Sequence, residues 1–233
     1  MEPWYFVYNG VDSRLMGVHV IKYPPIMRPA ERVQYVTVPG RAGDLTRKEG
    51  EAVYDAYNRG MEVSNMRGFD LHAVRRWLRG RGQMIIGNEP DFAYTVDLGA
   101  QCQMDKVIRG VWGGTLQMHT QPFKTRTAAV PDIALAVSGS SVYNPGDVPA
   151  LPLITLTGSG DGSLTVGGKT LQVYGVSAGW QVDFDLRWIL DALGAPQWNA
   201  CAGDFGFLPP GASAVSWTGG ITAVSIAPRW RYL

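Results

Sequence analysis

Asp183 and Asp185 stand two positions apart in a run, residues 180–186, that reads as a strand, and strand geometry puts both carboxylates on one face. Paired carboxylates are the raw material of glycoside hydrolysis or of an oxygen-ligated ion site. The same spacing puts Val182, Phe184 and Leu186 on the opposite face, so the expectation is a solvated acidic face without catalysis. The three histidines, His19, His72 and His119, are scattered singly. No Cys or Ser stands at a recognisable spacing from any of them, as nucleophilic catalysis would require. The two cysteines, Cys102 and Cys201, are too few for a metal cluster and too far apart for an expected disulfide. Gly-x-Ser-x-Gly, P-loop and His-Glu-x-x-His patterns do not occur. Gly158-Ser159-Gly160-Asp161-Gly162 is glycine-rich but falls between two expected strands, with no helix N-terminus to hold a phosphate. The residues point to no cofactor and no enzyme.

Binding chemistry is the other possibility. Trp180, Trp188, Trp198, Trp217 and Trp230 all fall in the second half of the chain. Exposed tryptophans stack on sugars; buried ones supply large packing area. Arg75, Arg76, Arg79 and Arg81 cluster as in a nucleic-acid-binding helix, yet they also suit the C-terminal end of a solvated helix, the reading adopted here.

The elements that must position these residues fall into two groups of different composition. Up to Val130 there are 17 basic against 13 acidic residues, a balance of +4; from Pro131 there are 4 against 7, or −3. The second part has no Glu and one Lys. Two domains are expected, 1–130 and 131–233. No run of 18 apolar residues occurs, so no membrane insertion is expected. The first residues, Met1-Glu2-Pro3-Trp4-Tyr5, lack the basic and apolar segments of a secretory signal. The expectation is a protein used inside the cell that makes it or released by a route other than secretion.

In the first part, strands are expected at 4–8 and 18–22, with Asn9-Gly10 as a hairpin turn. Another is expected at 34–38. Pro39-Gly40-Arg41-Ala42-Gly43-Asp44 reads as a glycine-rich turn leading to a charged loop, Arg47-Lys48-Glu49-Gly50-Glu51. Residues 52–57 and 60–65 read as two strands. One helix is expected, capped by Asp70, with Leu71, Val74, Trp77 and Leu78 at helical spacing and Gly80 and Gly82 ending it. Strands at 83–86, 93–97, 101–109 and 114–119 follow, and the domain closes at residues 120–124.

The second part is expected to be a small antiparallel sandwich. Asn144-Pro145-Gly146 is turn chemistry, and Pro149 and Pro152 hold the chain extended. Residues 153–157 and 163–166 read as two strands broken by Gly158–Gly162. Gly167-Gly168 turns into a strand at 169–173. Residues 214–217 and 221–226 read as a closing hairpin around Gly219-Gly220.

Four segments in order carry a resemblance to siphophage distal tail proteins. They are Tyr8-Asn9-Gly10-Val11-Asp12-Ser13 with Gly17-Val18; Val38-Pro39-Gly40-Arg41-Ala42-Gly43-Asp44-Leu45; Gln121-Pro122-Phe123; and residues 143–152 with Gly203-Asp204-Phe205 and Leu208-Pro209-Pro210-Gly211. The last turn departs from the family's pattern, Ala212-Ser213 standing where Asn is frequent. The resemblance implies a mainly β (α+β) chain: a split-barrel-like N-terminal domain with one helix, then a galectin-like β-sandwich. It implies a structural virion protein, a distal tail hub assembled in the host cytoplasm as a homo-hexameric ring. That ring joins the tail tube protein to the tail-tip, tail-associated or baseplate proteins, with the tape measure protein a further partner. DNA passes through its lumen without specific nucleic-acid binding. On the residues themselves, Pro39, Gly40, Arg41, Gly43, Asp44, Arg47, Lys48 and Glu49 form a candidate arm for the ring or a partner, or alternatively a solvated hairpin tip. The alternative function is a receptor-glycan-binding sandwich. A galectin site needs convergent His and Glu, which the second domain lacks, so the hub is preferred.

Overall fold

The computed structural model describes residues 4–50, 52–65, 69–99 and 103–233. Residues 1–3, Glu51 of the expected loop, and Gln101 and Cys102 lie outside the described residues. The chain divides into two units, Met1–Ala128 with Leu233, and Ala129–Tyr232.

In the first unit β1 (Phe6–Tyr8) and β2 (Val11–Asp12) are joined by Asn9-Gly10, with φ of 48° and 79°, as a tight two-residue hairpin turn requires. Asp12 then caps a 3-10 turn, Ser13–Met16, by accepting from the Arg14 amide at 2.8 Å. The remaining elements are β3 (Val18–Lys22), β4 (Val33–Thr37), β5 (Asp44–Lys48), β6 (Tyr57–Asn65), α1 (Leu71–Trp77), β7 (Arg81–Ile86), β8 (Phe92–Asp97), β9 (Gln103–Ile108) and β10 (Val111–Arg126). Except for β4 and β5, the strands form one antiparallel sheet in the order β2-β1-β7-β8-β10-β6-β3, with β9 on β10, curled as a half-barrel.

The helix lies where its spacing placed it. Asp70 accepts from the His72 amide at 2.8 Å, satisfying an N-terminal donor. Val74 and Leu78 are buried, and Trp77 stacks on Phe6 with ring centroids 5.5 Å apart while donating its indole N–H to the Tyr8 carbonyl. The core around them includes Phe6, Tyr8, Met61, Val63, Met84 and Leu116.

Three expectations in this unit need correction. Arg47 and Lys48 are not in a loop: they sit in β5, opposite Gln34 and Val33, because a ribbon solvated on both faces accepts charge at every position. Residues 52–57 and 60–65 give one strand, β6, not two; Tyr54 makes only an isolated bridge to Glu31. Strand β10 runs on past 124 to Arg126, taking Pro122 into a bulge between Thr120 and Lys124, where its missing N–H breaks no ladder.

The second unit contains β11 (Ile133–Leu135), β12 (Ser140–Asn144), β13 (Leu153–Val166), β14 (Lys169–Val176), β15 (Trp180–Asp183), β16 (Trp188–Leu190), β17 (Cys201–Gly203) and β18 (Gly211–Ala227). Here the two strands expected around Gly158–Gly162 are one long strand, β13. The hairpin expected at Gly219-Gly220 is likewise absent, since that dipeptide lies inside β18.

The two long strands pair with each other along their length and bend together at their glycines. Register shifts fall between Thr157 and Gly158 and between Gly158 and Gly162. Before the bend, β13 pairs with β15; after it, with β14. Strand β18 takes β12 on its first half and β11 on its second. The eight-stranded sheet thus doubles over: Phe184, just past β15, meets Phe205, just past β17, edge to face at 5.7 Å. Ile154, Leu156, Leu164, Val166, Val215 and Ile226 are buried, drawn from both halves of the two strands. At the entrance, buried Asn144 donates to the Val148 and Leu208 carbonyls and accepts from the Gly146 amide, fixing the expected turn from inside.

Candidate functional site

Among the described residues, the β4–β5 ribbon pairs with no other strand. At its base, the Arg32 amide donates to the Val53 carbonyl and the Asp55 amide to Ala30, both at 2.9 Å. Ion pairs Arg32–Asp55 (2.6 Å) and Lys48–Glu31 (2.7 Å) flank the same place, with Arg32–Glu49 at 3.8 Å. The Glu31 carboxylate holds the Lys48 ammonium above its usual pKa. Two of the eight candidate residues, Lys48 and Glu49, are therefore engaged across the base of the arm itself.

The other six occupy the tip and one edge. Gly40 and Gly43 take φ of 80° and 76°, the left-handed conformations that turn the chain, and the Arg41 amide donates to the Val38 carbonyl at 3.1 Å. Asp44 accepts from the Thr37 hydroxyl at 2.8 Å. Arg47 lies directly opposite Gln34, on the face that also carries Val36 and Leu45.

That apolar face went unnoticed in the sequence. Val36, Val38 and Leu45 are 44%, 38% and 46% exposed, and Tyr35 on the reverse face is 67% exposed. Val36 and Val38 alternate within the expected strand 34–38, but their partner Leu45 fell in a segment read as turn and charged loop. A two-stranded ribbon is at best marginal on its own, and this one holds apolar side chains in water on both faces.

The carboxylates tested for catalysis separate. Strand β15 ends at Asp183, which is buried rather than on a solvent face as expected, while Asp185 is exposed beyond the strand. Asp183 accepts from the amides of Asp185 and Leu186 and forms two hydrogen bonds with Arg229, both at 3.0 Å. Burial pushes its carboxyl up, but the Arg229 guanidinium and the two amides outweigh this and leave it below the usual carboxylate range. Both oxygens are engaged in structure. His119 bonds to Asn58 at 2.8 Å, and among the described residues no three His, Cys, Asp or Glu side chains converge as a metal site.

The tryptophans divide as well. Trp217 and Trp230 are buried. Trp188 and Trp198 are exposed and meet edge to face at 5.7 Å. The loop carrying Trp198 is stapled by Asp191, which accepts from the Leu193 and Ala195 amides and from the Gln197 side chain.

A half-barrel sheet with a helix, followed by a second antiparallel sheet, is a fold this chain shares with solved structures. Among them is that of SPP1 Dit (gp 19.1), described as a paradigm of the hub adsorption apparatus in phages that infect Gram-positive hosts. The TM-score is 0.69 at 18% sequence identity, over 99% of this chain and 99% of that one. No protein-family model matches the sequence, and no curated protein matches it.

Proposed function

We propose that the protein is a structural virion component, a distal tail hub. Six copies form a ring that joins the tail tube to the tail-tip or baseplate adsorption apparatus. The observation that carries the reading is the end-to-end match of fold to a known hub protein. In this reading residues 1–130 form the ring, and residues 131–233 are a galectin-like sandwich. The β4–β5 ribbon supports the ring. A heterologous interface that closes needs a projecting element with area to bury, and the ribbon exposes Tyr35, Val36, Val38 and Leu45 beyond the body of its unit.

The protein acts by geometry and not by catalysis. It meets the tail tube protein on one side and the tail-tip protein on the other, with the tape measure protein and DNA in the lumen. No described helix is long and apolar enough to cross a membrane. Its place is the distal end of the virion tail, reached after assembly in the host cytoplasm.

Light scattering of the purified protein, with negative-stain images of the same peak, tests this. Six copies of 25.4 kDa give about 152 kDa and a particle with a central hole. A compact monomer or dimer, unchanged by added tail tube protein, would remove the ring.

The second reading, contact with a receptor glycan, rests on the exposed Trp188–Trp198 pair alone. Its test is glycan binding by the wild type and not by a Trp198→Ala variant.

A further inference from the structure

Arg59 lies on the core-facing side of β6, in the same row as Met61 and Val63, and is only 5% exposed. Its Nε donates to the Thr120 hydroxyl at 3.2 Å. Its guanidinium lies over the Tyr94 ring at 4.1 Å and within 5.8 Å of Tyr57. Its Nη2 is sealed from solvent and has no hydrogen-bond partner among the described residues.

Among the described residues, the charge around it does not balance. Lys124, from the far side of the β10 bulge, is also largely enclosed, with 13% of its side chain exposed. The carboxylate of this cluster is Glu89. One of its oxygens takes Lys124 at 3.2 Å and the other takes the Tyr94 hydroxyl. Tyr94 supplies no second negative charge, because burial and the neighbouring Glu89 carboxylate push its phenol far above its usual pKa. Arg59 cannot shed its proton. Aromatic faces offset only part of the charge. A water molecule would satisfy the spare N–H but leave the charge. Buried charges in folded proteins are paired.

We propose that the interior of the half-barrel holds one small monovalent anion, of the size and charge of chloride, bound by the Arg59 guanidinium beside Lys124. The anion neutralises the second cation and takes the spare Nη2 donor. It belongs to the folded first unit, so it binds the native chain and not the unfolded one, and it stabilises by mass action.

The test is thermal unfolding of the full chain at constant ionic strength, with sodium chloride replacing sodium gluconate stepwise. The wild type should show a saturable rise in Tm, roughly 5 °C at a hundredfold excess over the dissociation constant. Arg59→Met should abolish the dependence whatever its own Tm. A wild type indifferent to chloride overturns the site, as does an equal rise in Arg59→Met. A Tm that depends on protein concentration but not on chloride also overturns it, and would assign the negative charge to a second copy of the chain. If the variant does not fold, bromide-soaked wild-type crystals decide: an anomalous peak within hydrogen-bond distance of the Arg59 guanidinium supports the site, and its absence refutes it.

Discussion

Gly158 and Gly220 face each other across β13 and β18 so closely that a Cβ on Gly158 would lie 2.0 Å from the Gly220 carbonyl oxygen. The closeness is mutual along the bend. A Cβ on Gly220 would sit 2.1 Å from the Ser159 carbonyl oxygen, and one on Gly219 would sit 2.4 Å from that of Asp161. Two strands can fold the sheet over together only if neither carries a side chain at the crease.

Gly158→Ala and Gly220→Ala should therefore each destabilise the second unit by roughly 2–4 kcal/mol, the range of backbone clashes with no room to relax. Gly160→Ala is the control for steric fit, since nothing lies within 4 Å of a Cβ there; its own cost is the positive φ of 92°. Urea unfolding followed by tryptophan fluorescence checks the order, and equal effects at the three positions would contradict the crease.

The Asp183–Arg229 pair makes stability depend on pH with a definite sign. The folded-state pKa of Asp183 lies below the unfolded value. Its contribution is present above the unfolded value, near 4, and is lost as pH falls through the folded one. Arg229 is 41% exposed in its side chain, so solvent screens part of the attraction. Asp183→Asn is expected to cost about 1–2 kcal/mol at pH 7 and to flatten the acid limb of the urea midpoint-versus-pH curve below pH 4. An acid limb as steep in the variant as in the wild type would assign that loss to other carboxylates.

Assembly should depend on the apolar face of the ribbon more than on its charges. A Val36→Lys, Leu45→Lys double variant is expected to keep the wild-type Tm within a few degrees, since both side chains are exposed within the chain. Its mass by light scattering should fall to that of the monomer. Lys48→Ala, which removes a surface ion pair, should change stability by under about 1 kcal/mol and leave the oligomer intact. An unchanged mass in the double variant would place the proposed interface elsewhere.

Trp198→Ala and Trp217→Ala should behave oppositely. Trp198 is 71% exposed, and its loss should alter stability by no more than about 0.5 kcal/mol. Trp217 is 6% exposed, and its backbone N–H and C=O both bond to the Ser138 hydroxyl at 2.8 Å; truncating its ring should cost about 3–5 kcal/mol. Denaturant midpoints of the two variants measure the contrast.

Much of the fold was legible because its signals are local. Asn9-Gly10 and Gly167-Gly168 are tight turns, both residues of each at positive φ, as expected from the dipeptides alone. Asp70 caps the helix, and Leu71–Trp77 builds it, as the 3.6-residue spacing demands. The candidate surface was half legible. Pro39 to Asp44 announced a turn, but the charges at Arg47 and Lys48 hid a strand, and with it the partnership of Leu45 with Val36.

The sequence by itself determined that the chain turns at Asn9-Gly10 and Gly167-Gly168, which segment is helical and that the chain is mainly β. Each of these follows from backbone preferences and spacing over a few residues. Only the tertiary structure decided that Gly219-Gly220 is a crease and not a hairpin, that Asp183 points inward to Arg229, and that Arg59 is buried against the ring of Tyr94, whose hydroxyl shares Glu89 with Lys124. A glycine pair permits a reversal or a bend equally well. Which one forms depends on whether a second strand, some sixty residues away in the chain, bends at the same place. A charged residue in an alternating strand likewise takes its side from register, and register is settled by the partner strand.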